Sequence, residues 1–292
     1  MIELVNGIIF DYQQQGYTLT LRQLYYQLVA RDHIENSEKS YKRIGNLVSD
    51  GRLTGLIDWD AIEDRTRALS YYNNWSSPTS ILRGAAKQYQ RDLWEYQPFY
   101  CEVWVEKEAL AGVVERACSD RRVPHFSCRG YVSQSEMYTA ANRLHDESGR
   151  VDGIRIIHLG DHDPSGIDMS RDIQDRLRLL MGDEAYAAVD FQRIALNYDQ
   201  ISQYNPPPNP AKTTDSRFAD YQQKFGRRSW ELDALEPSIL VALIQEAIEV
   251  GIDDDQWDAD KLQETQEAVG INAVANRFND AINYLKNGNG RG

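Results

Sequence analysis

The chain has 292 residues, 41% of them hydrophobic, and a formal net charge of −13. That length allows one large domain or two of ordinary size, and the acidic balance excludes a uniformly basic nucleic-acid coat, so contacts with nucleic acid would have to come from local patches. No apolar run approaches the roughly 18–20 residues of a membrane span. The amino terminus, MIELVNGIIFDYQQQ, lacks the basic n-region of a signal peptide, and Cys101, Cys118 and Cys128 form no C-x-x-C pair, so a cytoplasmic protein without a disulfide framework or a cysteine zinc site is expected.

Residues 1–15 read as a first helix, ended by Gly16. Thr18 or Thr20 caps the next, 21–30 (LRQLYYQLVA), where Leu21, Leu24, Tyr25 and Leu28 fall at i, i+3, i+4 and i+7 and make one apolar stripe. Arg22 and Tyr26 lie at i and i+4 on another face, which makes Tyr26 the more accessible tyrosine, beside a guanidinium. A helix is expected around 40–50 (SYKRIGNLVSD), then a small hairpin in 51–60 (GRLTGLIDWD). Helix, helix, hairpin is the order of a winged helix-turn-helix; any small α+β lobe has the same pattern. EDRTR at 63–67 and YYNNWSSP at 71–78 read as wing or loop and linker. Residues 81–96 read as a helix that Pro98 ends, with a domain boundary near 75–98.

A strand at 100–105 (YCEVWV) runs into Glu106-Lys107-Glu108. It is followed by a helix at 109–118, a strand at 126–129, Gly130, a helix at 133–146, a strand at 154–159 and a helix at 167–180. This alternation implies a mostly parallel sheet with right-handed crossovers. The third of these strands leads into GDHDPSG at 160–166. Residues two apart in extended chain point to the same side. Asp161 and Asp163 therefore aim two carboxylates at one point beyond the strand's carboxyl end, where open α/β sheets place ligands. Glu106 also follows a strand, and three carboxylates from two strand ends form a hard oxygen set suited to Mg²⁺ or Mn²⁺. The plain alternative is an acidic turn without a metal. Residues 193–197 read as one more strand, and NPPPNPAK at 205–212 as proline-held chain outside regular structure. WELDA at 230–234 and the residues after Pro237 read as a helix start and a helix, and LKNGNGRG as a frayed tail.

Three segments, VEKEAL (105–110), RGYVSQSEMYTAANRL (129–144) and LGDHDPSG (159–166), resemble a TOPRIM domain, most of all that of the topoisomerase VI A subunit and its relative, the meiotic double-strand-break transesterase. TLRQLYYQL at 20–28 is similar to the tyrosine motif those proteins carry on a winged-helix domain, and GRRSWELDALEP at 226–237 to a late segment of theirs. The ordered set covers about residues 18–250. The resemblance implies an α/β chain with an α+β amino-terminal lobe: a winged helix-turn-helix domain with a linker helix over 1–97, and a TOPRIM-like metal domain with a helical extension over 98–285. It implies Mg²⁺ or Mn²⁺ held by Glu106, Asp161 and Asp163, with Asp168 as an outer ligand, for cleavage of double-stranded DNA. Tyr26, rather than Tyr25, corresponds to the nucleophile that links covalently to DNA. Arg22 is placed to favour its ionisation, and Glu106 joins the two as a catalytic residue. Arg65 and Arg67 on the wing, with Lys107 and Arg129, are the expected phosphate contacts, and His162 is read as a loop histidine. A homodimer would bring one protomer's tyrosine to the other's metal. Strand passage would need a separate ATPase subunit, since the chain has no G-x-x-x-x-G-K-[ST] and is shorter than the family's topoisomerases. TOPRIM domains also serve hydrolytic nucleases that dispense with the tyrosine, so direct hydrolysis is the second expectation and a non-catalytic DNA-binding accessory subunit the third.

Overall fold

The computed structural model describes residues 1–63, 72 and 74–288. Arg65, Arg67 and most of the expected wing lie outside the described residues. The chain divides into two compact units, Met1–Arg67 with Phe99–Val250, and Ala68–Pro98 with Gly251–Gly292; the sequence reading has a single boundary at 97/98.

The first unit begins with α1 (Ile2–Gln14), β1 (Leu19–Thr20), α2 (Leu21–Ala30) and α3 (Glu38–Leu53). Thr20 opens α2 through a reciprocal capping box with Gln23. The stripe residues Leu24, Tyr25 and Leu28 are buried with Val5, Ile8, Tyr12, Ile44 and Val48. Residues 51–60 do not form the expected hairpin. Helix α3 continues to Leu53 because Gly51 leaves room for Ile57, whose Cδ1 would lie 2.7 Å from a Cβ at position 51. The chain then reaches β2 (Ile62–Glu63), which pairs with β1 in parallel, Leu19 opposite Ile62.

Helix α4 (Pro78–Gln88) belongs to the second unit. It starts before the expected helix at 81–96 because Ser77 caps it and Pro78 takes its first turn, and it ends at Gln88. The sheet of the first unit comprises β3 (Phe99–Val105), β4 (His125–Ser127), β5 (Gly153–Leu159) and β6 (Val189–Ala195), ordered β4-β3-β5-β6 and parallel throughout. Helices α5 (Ala111–Ser119), α6 (Gln134–Ser148) and α7 (Pro164–Met181) make the crossovers. Side chains of α6 and α7 share a core with Trp104, Ile154 and Ile156, and every residue of β3 is buried. Strand β6 lies earlier than the strand expected at 193–197. It is an edge strand on which Ala195 alone is fully buried, so its alternation is weak.

Two short helices, α8 (Asp183–Tyr186) and α9 (Tyr198–Tyr204), flank β6. The proline-rich segment is not wholly irregular: β7 (Asn209–Pro210) pairs antiparallel with β8 (Arg228–Ser229), on either side of α10 (Phe218–Phe225). Helix α11 (Pro237–Glu249) packs on α5 and closes the unit. The second unit gains α12 (Asp254–Asn276) and α13 (Phe278–Gly288). The sequence reading covers this stretch only as a helical extension to 285 and sets no bounds for α12, whose residues bury little beyond Trp257, Asp260 and Ala275 and so carry no apolar stripe. Arg91 holds α12 through Asp260 at 3.3 Å and Glu267 at 3.2 Å. Among the described residues no helix is long and apolar enough to cross a membrane.

One consequence of the fold is a pH dependence. His158 in β5 is 1% exposed, with its Nδ1 3.2 Å from Ser170 Oγ. Burial, with the charge of Arg193 added, pushes its pKa down to about 3. The unfolded chain takes up this proton near pH 6.5 and the folded chain does not. The stability is therefore whole above pH 6.5 and is lost as pH falls towards 3, about 2 kcal/mol of it between pH 6.5 and 5. Urea unfolding of His158→Gln is expected to lose about that much less over this interval; an acid limb identical to the parent's would remove His158 as its source.

Candidate functional site

The site is built where β3 and β5 end side by side. Val105 pairs with Leu159, so Glu106 and Gly160 leave the sheet together. Glu106 N donates to Leu159 O at 2.9 Å, and Asp161 N donates to Glu106 Oε2 at 2.8 Å. Two glycines make the approach possible. A Cβ at Gly160 would lie 3.0 Å from Glu106 Oε2, and one at Gly166 would collide with the Asp161 carbonyl and come within 3.1 Å of Glu106 Oε2. Gly166→Ala is expected to destabilise the chain by about 1–3 kcal/mol, read as a lower melting temperature; an unchanged melt would mean that the loop yields freely.

Asp163 caps α7, its Oδ1 accepting from Gly166 N at 2.6 Å and Ser165 Oγ at 2.9 Å. Glu106, Asp161 and Asp163 line one cavity of about 470 Å³. Burial raises the pKa of Glu106 and holds that of Asp161 well up, and neighbouring carboxylates add to both. Among the described residues, Glu106 Oε1 and Asp163 Oδ2 accept no hydrogen bond. Arg193 clamps the loop beneath them. Its guanidinium donates to the carbonyls of Gly160 (2.9 Å), Asp161 (2.7 Å) and Gly166 (3.2 Å), and burial lowers its pKa to about 10.

Lys107 does not project as a free phosphate contact. Its ammonium lies 2.9 Å from Asp161 Oδ1 and 2.9 Å from Asp233 Oδ1, and it also donates to Glu231. Arg22 joins the same cluster, 2.5 Å from Asp233 Oδ2 and 3.0 Å from Glu231 Oε2. Burial alone would lower the Lys107 and Arg22 pKa values, yet both are raised, because the acids outweigh it. Glu231 falls to about 2 against its own burial, held by Lys107 and Arg22. Neither Glu231 nor Asp233 is among the residues singled out from the sequence. The available signal is WELDA, whose Leu232 N also donates to Asp161 Oδ1 at 2.8 Å.

Helix α2 packs against the turn at 232–234, and both tyrosines lie in the core cluster that includes Ala234. Tyr26 is 5% exposed and Tyr25 4%, so the expected difference in access is absent. Tyr25 Oη accepts from Ser37 N at 2.8 Å. Arg22 sits 5.6 Å from the Tyr26 ring centroid. Burial first, then Glu231 and Asp233, push the Tyr26 pKa up to about 12, and Arg22 only partly offsets them. Tyr26 lines a second cavity of about 290 Å³, which Arg22 also lines.

The remaining expected residues divide. Arg129 lines the carboxylate cavity with its side chain 73% exposed, 3.1 Å from Glu108. Asp168 is not brought there. Its oxygens are taken by Arg171 at 2.8 Å, Arg217 at 2.8 Å and Tyr131 Oη at 2.6 Å, in a separate pocket. His162 is a core residue rather than a loop one: it is 1% exposed, with Nδ1 2.8 Å from Tyr221 Oη and its backbone bridged to Trp230.

The donor set at the strand ends is all oxygen and carries two unpartnered carboxylate oxygens in one cavity, which fits Mg²⁺ or Mn²⁺. Among the described residues no three histidine, cysteine or acidic side chains are already drawn to ion-binding spacing; Asp161 faces the ammonium of Lys107 instead. Comparison of the chain with family models, with curated proteins and with solved structures found no match.

Proposed function

We propose that this protein cleaves DNA with Mg²⁺ or Mn²⁺, as a winged-helix and TOPRIM-like enzyme resembling the topoisomerase VI A subunit. One observation carries the reading: carboxylates from the ends of two adjacent parallel strands line a single cavity with an exposed arginine, Arg129, on its wall. Glu106, Asp161 and Asp163 would hold the ion, which when bound neutralises charge on the scissile phosphate and the leaving oxygen. Arg129 orients the phosphate, and Arg193 keeps the 160–166 loop in place.

In the first route Tyr26 is the nucleophile. Its hydroxyl loses a proton, its oxygen bonds to phosphorus, and the bond from phosphorus to a sugar oxygen breaks; that oxygen takes up a proton and leaves as a sugar hydroxyl, and the protein stays joined to DNA. The burial of Tyr26, with Glu231 and Asp233 adding to it, opposes this ionisation. That same burial favours a second route, attack by water without a covalent step. A homodimer and a separate ATPase subunit remain part of the proposal.

The test is incubation of the purified chain with supercoiled plasmid and Mg²⁺ or Mn²⁺, stopped with detergent and resolved with and without proteinase K. Cleaved DNA that enters the gel only after protease, and is lost with Tyr26→Phe, supports the covalent route. Cleavage indifferent to protease supports hydrolysis. Binding without cleavage under either metal overturns the enzymatic reading in favour of an accessory DNA-binding subunit.

A further inference from the structure

The carboxylate cavity and the tyrosine cavity share walls. Arg22 borders both, and one short segment supplies Asn209 to the tyrosine cavity and Lys212 to the carboxylate cavity. Pro206, Pro207, Pro208 and Pro210 keep that segment extended. Ala211 N donates to Arg227 O at 3.0 Å, just before β8, and extends the pairing of Pro210 with Arg228. Three residues of extended chain span at most about 10 Å, so the two side chains serve neighbouring points.

The charges around the carboxylate cavity are unequally committed. Arg22 and Lys107 are paired with Glu231 and Asp233, and Arg129 with Glu108. Lys212 is exposed and has no ion pair among the described residues, so beside Arg129 it is a second cation on this wall open to an incoming anion. The tyrosine cavity has a different chemistry. The rings of Tyr25 and Tyr26 lie 5.2 Å apart, as do those of Tyr25 and Tyr41, and Tyr41 is only half-buried. The amides of Asn36 and Asn209 border the same space and hydrogen-bond to each other. The ring pairs are edge-to-face and Tyr25 and Tyr26 are buried, so the half-buried ring of Tyr41 is the one open to a ligand; an aromatic ring edged by amides suits a flat ring with polar edges, and nucleobases stack on such rings whatever their sequence.

We propose that the two cavities form one nucleotide subsite, with the base of an unpaired nucleotide against Tyr41 and an adjoining phosphate at Lys212. The inference rests on the nucleic-acid reading above and names the form of the substrate. A base enclosed in a side cavity has left its stack, so this subsite takes single strand or an everted nucleotide rather than intact duplex.

The test uses the full chain in EDTA, so that it does not depend on cleavage. Labelled octathymidylate is compared with an abasic octamer that keeps the phosphates and lacks the bases, by fluorescence anisotropy. The parent is expected to prefer octathymidylate. Tyr41→Ala is expected to lose about fivefold or more of that affinity and none for the abasic chain. Lys212→Gln is expected to weaken both ligands alike and to reduce the slope of log K against log salt by about 0.7. If Tyr41→Ala does not fold, Asn209→Ala carries the same comparison. A parent that binds both octamers equally, or a Tyr41→Ala loss shared by both, overturns the base site; an unchanged salt slope in Lys212→Gln overturns the phosphate site. A chain that shows this discrimination but never cleaves DNA refutes the enzymatic reading alone, and a chain that cleaves without discriminating refutes the subsite alone.

Discussion

Asp161→Asn is expected to lower metal-dependent DNA cleavage by about 10³-fold or more while leaving the chain folded. A metal-held phosphate draws several kcal/mol of transition-state stabilisation from its ion, and each 1.36 kcal/mol is tenfold in rate. The substitution keeps the shape of the site: an amide oxygen still accepts from Leu232 N, as Asp161 Oδ1 does now at 2.8 Å. The charge balance also tolerates it. Arg22 and Lys107 face Glu231 and Asp233, two cations against two anions, before Asp161 is counted. Burial already raises the pKa of Asp161, so a neutral group there is not foreign to the fold. Nicking rates at saturating Mn²⁺, measured alongside thermal melts, separate the two effects. Cleavage at the parental rate would remove this cavity from the chemistry, and a rate lost only together with folding would make Asp161 structural.

The second large effect is on stability. Lys107→Met is expected to destabilise the chain by about 3–5 kcal/mol, the usual cost of removing one partner from a buried ion pair, or a fall in melting temperature of roughly 6–20 °C for a unit of this size. Lys107 is only 14% exposed in its side chain, and its ammonium answers three acids at once. Without it Asp233, 1% exposed, and Glu231 keep Arg22 as their one cation among the described residues. Asp233→Asn in the same chain should recover part of the loss, because residues that share a cluster couple by about 0.5–3 kcal/mol. A single Lys107→Met protein that melts with the parent would mean that the ammonium is not held there.

Local features are legible in the residues themselves. The capping box at Thr20 and the stripe of Leu24, Tyr25 and Leu28 belong to one helix and are visible within ten residues. The alternation of strands with helices predicts the parallel sheet, and the turn at 160–166 predicts its own glycines, since Gly160 and Gly166 answer contacts with Glu106 and Asp161 at the same strand ends. The hairpin expected at 51–60 does not form because Gly51 serves helix packing against Ile57 rather than a turn. Helix α12 leaves no periodic signal because a helix that buries so few side chains needs no apolar period.

What the sequence determined by itself follows from rules that act over a few residues: period, capping, turn chemistry, and the arrival of Glu106 and Asp161 at neighbouring strand ends. What only the tertiary structure decided is which charges meet and which side chains lose water. Lys107 reaches Asp233 across 126 positions and Arg22 reaches it across 211. Those partners draw an expected phosphate contact, Lys107, and the expected activator of Tyr26, Arg22, into one charge cluster, and the packing of α2 on the 232–234 turn helps bury Tyr26, whose pKa is raised. Neither outcome has a local signature, because desolvation and ion pairing depend on the segment that arrives from elsewhere in the chain, not on the residue's own neighbours in sequence.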